Sequence, residues 1–275
     1  MTRIAPTPSG FLHLGNVFSF ALTSAIAAER GARVLLRIDD MDRDRVSDVY
    51  VQDIFDTLRY LGISWDEGPS DLAEYKSTYA QIHRLGLYRE ALDRLREKGE
   101  VFACTCSRTQ IGSVRYPGTC RDKGIPLDAE GVSWRLRTDP TRVLTIRTTE
   151  GPGRIAEGLV HATLPTDMRD FIVRKKDGFP AYQLTSLVDD LHYGIDLIVR
   201  GGDLWASTLA QQYLGLVLGE KAFQDILFFH HPLLTDTDGR KLSKSAGATS
   251  VQALRKAGKT AEEIYGLIEA LKTAR

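Results

Sequence analysis

Apolar positions along the chain fall into short strand-like runs and longer helix-like runs, and the two kinds alternate. ARVLLRIDD (32–40), IDLIVRGGD (195–203) and DILFFHHP (225–232) are continuous and rich in branched or aromatic residues, the pattern of strands buried on both faces. Residues 2–5 form a shorter run of the same kind. Between them lie stretches with helical spacing: 16–30 stopped by Gly31, 46–61 stopped by Gly62, 77–98, and 204–218 stopped by Gly219. In 77–98 the positions Tyr88, Ala91, Leu92 and Leu95 fall on one face. From 101 to 165 the character changes to Gly, Thr and Arg with short extended pieces such as SWRLRT and RVLTIRT, which predicts a small β-rich insertion. A last helical stretch covers 260–272. The simplest assembly is an α/β fold, a Rossmann-type doubly wound parallel sheet interrupted by that insertion. It divides the chain into a catalytic unit of 1–100 and 166–245, the insertion 101–165, and a short helical extension 246–275.

Composition narrows the class. Of the 275 residues 43% are hydrophobic and 26% charged, and no apolar run approaches the roughly 20 residues that a membrane helix needs. Met1 leads through Thr2 and Arg3 into a Pro/Gly loop instead of a basic tip and an apolar core, so the expectation is a cytoplasmic protein. Lys and Arg balance Asp and Glu at 36 each, so contact with nucleic acid has to rest on a local patch. The three cysteines, Cys104, Cys106 and Cys120, read as metal ligands or free thiols before disulfides.

Two loops carry the chemistry. APTPSGFLHLGN (5–16) removes side chains ahead of a helix whose first N–H groups and positive dipole end suit a phosphate, with His13 as a donor beside them. Alone, such a loop is as readily a tight connection. DGRKLSKSAG (238–247) places Lys241 and Lys244 three apart among small residues, able to neutralise a polyphosphate; alone, it is a solvated surface.

Taken together, the first loop and KLSKS resemble the two signatures of class I aminoacyl-tRNA synthetases. RIAPTPSGFLHLGN (3–16), LRIDDMDRDR (36–45), WDEGP (65–69), FPAYQLTSLVDD (179–190), IVRGGDL (198–204) and KLSKS (241–245) follow the glutamyl branch in order. The stretch after Ser245 has room for a connection and one helix but not for the helical anticodon-binding domain of an ordinary glutamyl-tRNA synthetase. With CTC (104–106) and YPGTCR (116–121), that pattern resembles the glutamyl-Q tRNA(Asp) synthetases.

The resemblance implies activation of L-glutamate by ATP with Mg²⁺, and transfer of glutamate to queuosine in the anticodon stem-loop of tRNA(Asp), by a monomer. Arg3, Ile4, Ala5, Pro6, Thr7, Asp39, Tyr182 and Arg200 are then the glutamate pocket: Arg3 and Arg200 hold carboxylate oxygens, Asp39 meets the ammonium and Tyr182 positions the substrate. ATP falls to His13, Gly15, Asn16 and Lys244, with His13, Lys241 and Lys244 stabilising charge in the transition state. Cys104, Cys106, Tyr116 and Cys120 are implied as ligands of a structural zinc. Asp39 stands where the family usually has Glu, one methylene longer, and Thr7 where Ser is more common. Two other readings stay open: a truncated glutamyl-tRNA synthetase that charges a 3′ end, and a synthetase-like protein that binds without catalysis.

Overall fold

The computed structural model describes residues 1–111, 115–151, 157–234 and 250–273. Its strands are β1 (Thr2–Ile4), β2 (Val34–Leu36), β3 (Val101–Cys104), β4 (Ser133–Leu136), β5 (Leu144–Thr149), β6 (Glu157–Ala162), β7 (Ile172–Arg174), β8 (Leu197–Gly201) and β9 (Leu227–His231). β1 pairs in parallel with β2, β8 with β9 and β5 with β9, while β6 closes one edge antiparallel to β5. The N–H groups of Asp196 and Leu197 donate to the Met1 carbonyl at 3.0 and 3.3 Å, which sets β1 beside β8. Across the molecule the order is therefore β2, β1, β8, β9, β5, β6. The chain leaves β1 in one direction toward β2 and later returns on its other side as β8. That reversal leaves a crevice at the carboxyl ends of β1 and β8, where open α/β sheets bind ligands.

The connection from β1 to β2 runs through the Leu14–Arg30 helix, which buries Val17, Phe20, Ile26 and Ala27. Its end needs a left-handed residue: Gly31 takes φ 60°, letting its own N–H reach Ala28 O and that of Ala32 reach Ala27 O. Val17 and Phe20 pack with Ile4, Leu36, Ile54 and Leu58, the last two from the Asp48–Tyr60 helix. On the other side of the sheet a larger core joins Tyr88, Leu92 and Leu95 of the Leu85–Glu97 helix to Ile198, Phe228 and Leu214. The face predicted for Tyr88, Ala91, Leu92 and Leu95 is the buried one.

Three expectations change in detail. The 32–40 run forms a ladder only over Val34–Leu36; beyond it Arg37 and Asp39 donate their N–H groups to Ile4 and Pro6 carbonyls and follow the loop after β1. The single helix expected over 77–98 is broken into a wide turn at Tyr75–Tyr79, a 3-10 turn at Gln81–Arg84 and the Leu85–Glu97 helix. The cause is polar: Ala80 is extended (ψ 140°), which brings the Gln81 N–H within 2.8 Å of Asp40 and lets Arg84 reach Asp189. Finally, 101–165 supplies strands to two sheets. β3 and β4 join β7 in a three-stranded antiparallel sheet, whereas β5 enters the large sheet because Leu144 and Ile146 are core residues.

Candidate functional site

A cavity of about 370 Å³ opens at the β1/β8 crossover. One wall is the loop from Arg3 to Thr7, another the Leu14–Arg30 helix start with His13, Gly15 and Asn16, and a third the end of β8 at Arg200 and Gly201. Asp39 and Tyr182 complete the set of described substrate residues that the sequence pointed to; all eleven besides Lys241 and Lys244 border this one space. Lys241 and Lys244 lie outside the described residues. The described residues on either side of them adjoin the site: Leu234 lines it, and Val251 donates its N–H at 2.8 Å to the carbonyl of Leu12, another lining residue.

The helix start is organised locally. The His13 N–H donates to Asn16 Oδ1 at 3.1 Å, so Asn16 closes the turn from the third helical position. A Cβ on Gly15 would sit 3.1 Å from two atoms of the His13 ring, so glycine leaves the imidazole its place over the first turn.

Behind the cavity lies a buried ionic network. Arg37 grips Asp39 with two bonds, Nε to Oδ1 at 2.7 Å and Nη2 to Oδ2 at 3.2 Å, and donates through Nη1 to Asp190 Oδ1 at 2.7 Å. Arg3 Nε donates to the same Asp190 oxygen at 3.0 Å. Asp189 accepts from Arg84 at 2.7 and 3.1 Å, from Tyr88 at 2.7 Å and from Gln81 at 2.9 Å. Burial raises the Asp39 carboxyl, opposed by Arg37; burial acts the same way on Asp189, where the bonds and charges of Arg84 and Arg37 prevail and bring it down.

Arg200 differs from these. It is 3% exposed, its Nη1 donates to the neutral amide of Gln211 at 3.0 Å, and its Nε and Nη2 have no hydrogen-bond partner among the described residues. Burial lowers it to about 10, which leaves it charged at neutral pH. A buried guanidinium with two unpaired donors on one side is a vacant fork for a carboxylate.

The network was not read from the sequence as a unit. Its signal lay in the strings RIDD (37–40) and VDD (188–190), where carboxylates interrupt apolar runs; charges in such positions have to be paired. Phe18, His231 and Leu233, also lining the cavity, carried no signal.

A second cluster stands apart, at the end of β3. The sulfurs of Cys104, Cys106 and Cys120 all lie within 4.8 Å of one another, with Cys106 and Cys120 at 3.6 Å. Tetrahedral ligation with Zn–S arms of about 2.3 Å needs sulfurs roughly 3.8 Å apart, close to the Cys106–Cys120 separation, so the trio is gathered at the scale a metal ion needs. The Tyr116 hydroxyl reaches into this cluster, accepting from the Cys120 N–H at 2.8 Å. Burial opposes ionisation of Cys120, but the Thr105 N–H and neighbouring thiols donate to it and bring it to about 6.

Among the described residues no helix is long and apolar enough to cross a membrane. The family model for tRNA synthetases class I (E and Q), catalytic domain, matches residues 1–270. Among curated relatives, the "Glutamyl-Q tRNA(Asp) synthetase" of Nitratidesulfovibrio vulgaris is 35% identical, covering 98% of this chain and 85% of its own. That of Parasynechococcus marenigrum is 38% identical over 97% and 80%, and that of Rhodobacter capsulatus 33% over 98% and 99%. The fold is also that of the glutamate-tRNA synthetase of Elizabethkingia anophelis, with a TM-score of 0.70 at 21% identity; the match covers 94% of this chain and 53% of that one, about half its length. The chain belongs to the class I tRNA synthetase (E and Q) family, within its group of glutamyl-Q tRNA(Asp) synthetases, and is a ligase.

Proposed function

We propose that the chain activates L-glutamate with ATP and transfers it to queuosine at the anticodon of tRNA(Asp). The observation that carries the reading is the vacant fork of Arg200, in one cavity with Arg3, Asp39 and a helix N-terminus bearing His13. Arg200 and Arg3 take the side-chain carboxylate, Asp39 takes the ammonium, and Tyr182, at the cavity mouth, fixes the substrate through its hydroxyl. Ile4, Ala5, Pro6 and Thr7 form the pocket wall beside Arg3.

The α-carboxylate oxygen then attacks the α-phosphorus of ATP, forming the acyl–phosphate bond of glutamyl-adenylate as the bond to pyrophosphate breaks. His13, Lys241 and Lys244, with the N–H groups near Gly15 and Asn16, stabilise the charge that grows on phosphoryl oxygens; Lys244 also binds ATP. Mg²⁺ bound with ATP would supply further neutralisation of the polyphosphate. In the second step a queuosine hydroxyl attacks the acyl carbon, AMP departs, and the adenylate phosphate accepts the proton. Cys104, Cys106, Tyr116 and Cys120 would hold a structural Zn²⁺ that braces the small sheet. The reading includes a cytoplasmic monomer that meets the anticodon stem-loop.

The test is incubation with radiolabelled glutamate and ATP, offering tRNA(Asp) with and without queuosine. Label confined to the queuosine-bearing tRNA and resistant to removal of the 3′-terminal adenosine is the expected result. Label on both tRNAs, lost with that adenosine, would replace the reading by 3′-end charging.

A further inference from the structure

His231 ends β9 and is 3% exposed, yet it borders the cavity. Residues alternate across the strand: Leu227 and Phe229 pack with Ile26 of the Leu14–Arg30 helix, and His231 follows on that side, with the Phe18 ring edge-on at 4.9 Å. Its neighbour His230 faces the opposite core, where its Nε2 meets Thr208 Oγ1 at 2.7 Å. The two histidines therefore differ in state. His231 Nδ1 lies 2.9 Å from the Pro232 carbonyl oxygen, which can only accept, so Nδ1 carries the proton. Burial lowers the ring's basicity, against the Pro232 carbonyl and Asp203, and keeps the imidazole neutral. Nε2 is then a bare lone pair, and it has no partner among the described residues. A buried acceptor without a donor, beside apolar Phe18, Leu233 and Leu234 in the cavity wall, is half of a hydrogen bond whose other half is a ligand.

We propose that His231 Nε2 accepts a hydrogen bond from the nucleoside part of ATP, from the 6-amino group of the base or a ribose hydroxyl, and so helps select the nucleotide. This rests on the ATP-dependent activation argued above. A lone-pair acceptor at the base would favour a 6-amino purine over a 6-oxo purine, whose oxygen faces it with a second lone pair. The apolar walls take the flat ring, and the phosphates extend toward the Leu14–Arg30 helix start.

The experiment is glutamate-dependent ATP/pyrophosphate exchange by wild type, H231L and H231Q, using ATP, purine riboside 5′-triphosphate and 2′- and 3′-deoxy-ATP. H231L should raise KM for ATP about 5- to 10-fold, the worth of one hydrogen bond, with kcat within about twofold and KM for glutamate unchanged. H231Q, which keeps an acceptor, should recover most of the loss. With the one analogue that lacks the donor, wild type and H231L should become equal, and that analogue says whether base or ribose is read. An unchanged KM in H231L, or a penalty of equal size with every nucleotide, would overturn the proposal. If H231L does not fold, wild type decides alone: equal KM for ATP and all three analogues overturns it. Absence of any exchange by wild type is a different result, which removes the activation reading and this one with it.

Discussion

Asp190 is the joint between the two poles of the cavity, and Asp190→Asn isolates its charge. The carboxylate is fully buried and its Oδ1 receives both Arg3 Nε at 3.0 Å and Arg37 Nη1 at 2.7 Å, while Oδ2 has no partner among the described residues. Asparagine can keep an acceptor oxygen facing both guanidiniums and put its amide where Oδ2 was, so shape is conserved and only charge is lost. Bonds to charged groups contribute about 1.5–3 kcal/mol each and neutral ones about 0.5–1.5, so two weakened bonds should cost roughly 2–3 kcal/mol. At about 2–4 °C per kcal/mol for a chain of this size, the melting temperature should fall by roughly 5–10 °C in differential scanning calorimetry. Arg3 is no longer aimed by its counter-ion, so KM for glutamate in ATP/pyrophosphate exchange should rise by about tenfold, with KM for ATP unchanged. A melting temperature within about 2 °C of wild type would refute the energetic argument. A lowered melting temperature with unchanged KM for glutamate would refute the claim that Asp190 orients Arg3.

Arg200→Lys keeps the charge but not the planar fork, so KM for glutamate should rise by about 10- to 100-fold in the exchange assay while KM for ATP holds; equal values would remove Arg200 from the substrate site. Asp189 lies below its usual 3.8. A depressed carboxylate stabilises the fold above its unfolded value and ceases to as pH falls through the folded one, so the difference in melting temperature between wild type and Asp189→Asn should be full near pH 7 and shrink below about pH 4; a difference independent of pH would contradict this. Incubation with a chelator, or Cys120→Ser, should release close to one metal equivalent by mass spectrometry and lower the melting temperature by several degrees; protein purified without metal and indifferent to chelator would exclude the zinc reading.

How much of this was legible follows from what each element depends on. The parallel strands and their glycine-ended helices depend on local pattern, and the structure keeps these helices with ends moved by a residue or two: 16–30 lengthens to Leu14–Arg30 and 204–218 shortens to Trp205–Leu218. The cavity residues were legible for a topological reason. Arg3 to Thr7 run off the end of β1 and Arg200 stands at the end of β8, and both strands end at the same crossover, so motifs distant in sequence meet there. What stayed hidden depends on partners distant in sequence. The break near Ala80 exists because Gln81 and Arg84 reach Asp40 and Asp189, and helical spacing carries no trace of that demand. Likewise RVLTIRT reads only as a strand, and its membership of the large sheet is set by Leu227 and Phe228 across the ladder.

The buried ions also bear on which amino acid the site would accept. Arg3, Arg37 and Arg84 each meet at least one of Asp39, Asp189 and Asp190, so these charges are answered within the fold. Among the described residues Arg200 meets no carboxylate: the Phe228 ring lies 5.2 Å from its guanidinium carbon and Gln211, an uncharged amide, leaves two donors idle. Glutamate offers a second carboxylate that satisfies both donors and the charge together. Glutamine offers one carbonyl oxygen and an amide that brings further donors to a site already rich in them, so one guanidinium N–H and the buried charge stay uncompensated. Leaving such a group unpaired costs more than omitting a contact, because water cannot reach it either. On this reading, discrimination between the two amino acids rests on the lack of a counter-ion for Arg200 among the described residues, and Gln211→Glu should weaken it: a carboxylate at Nη1 would answer the guanidinium charge within the fold and raise KM for glutamate.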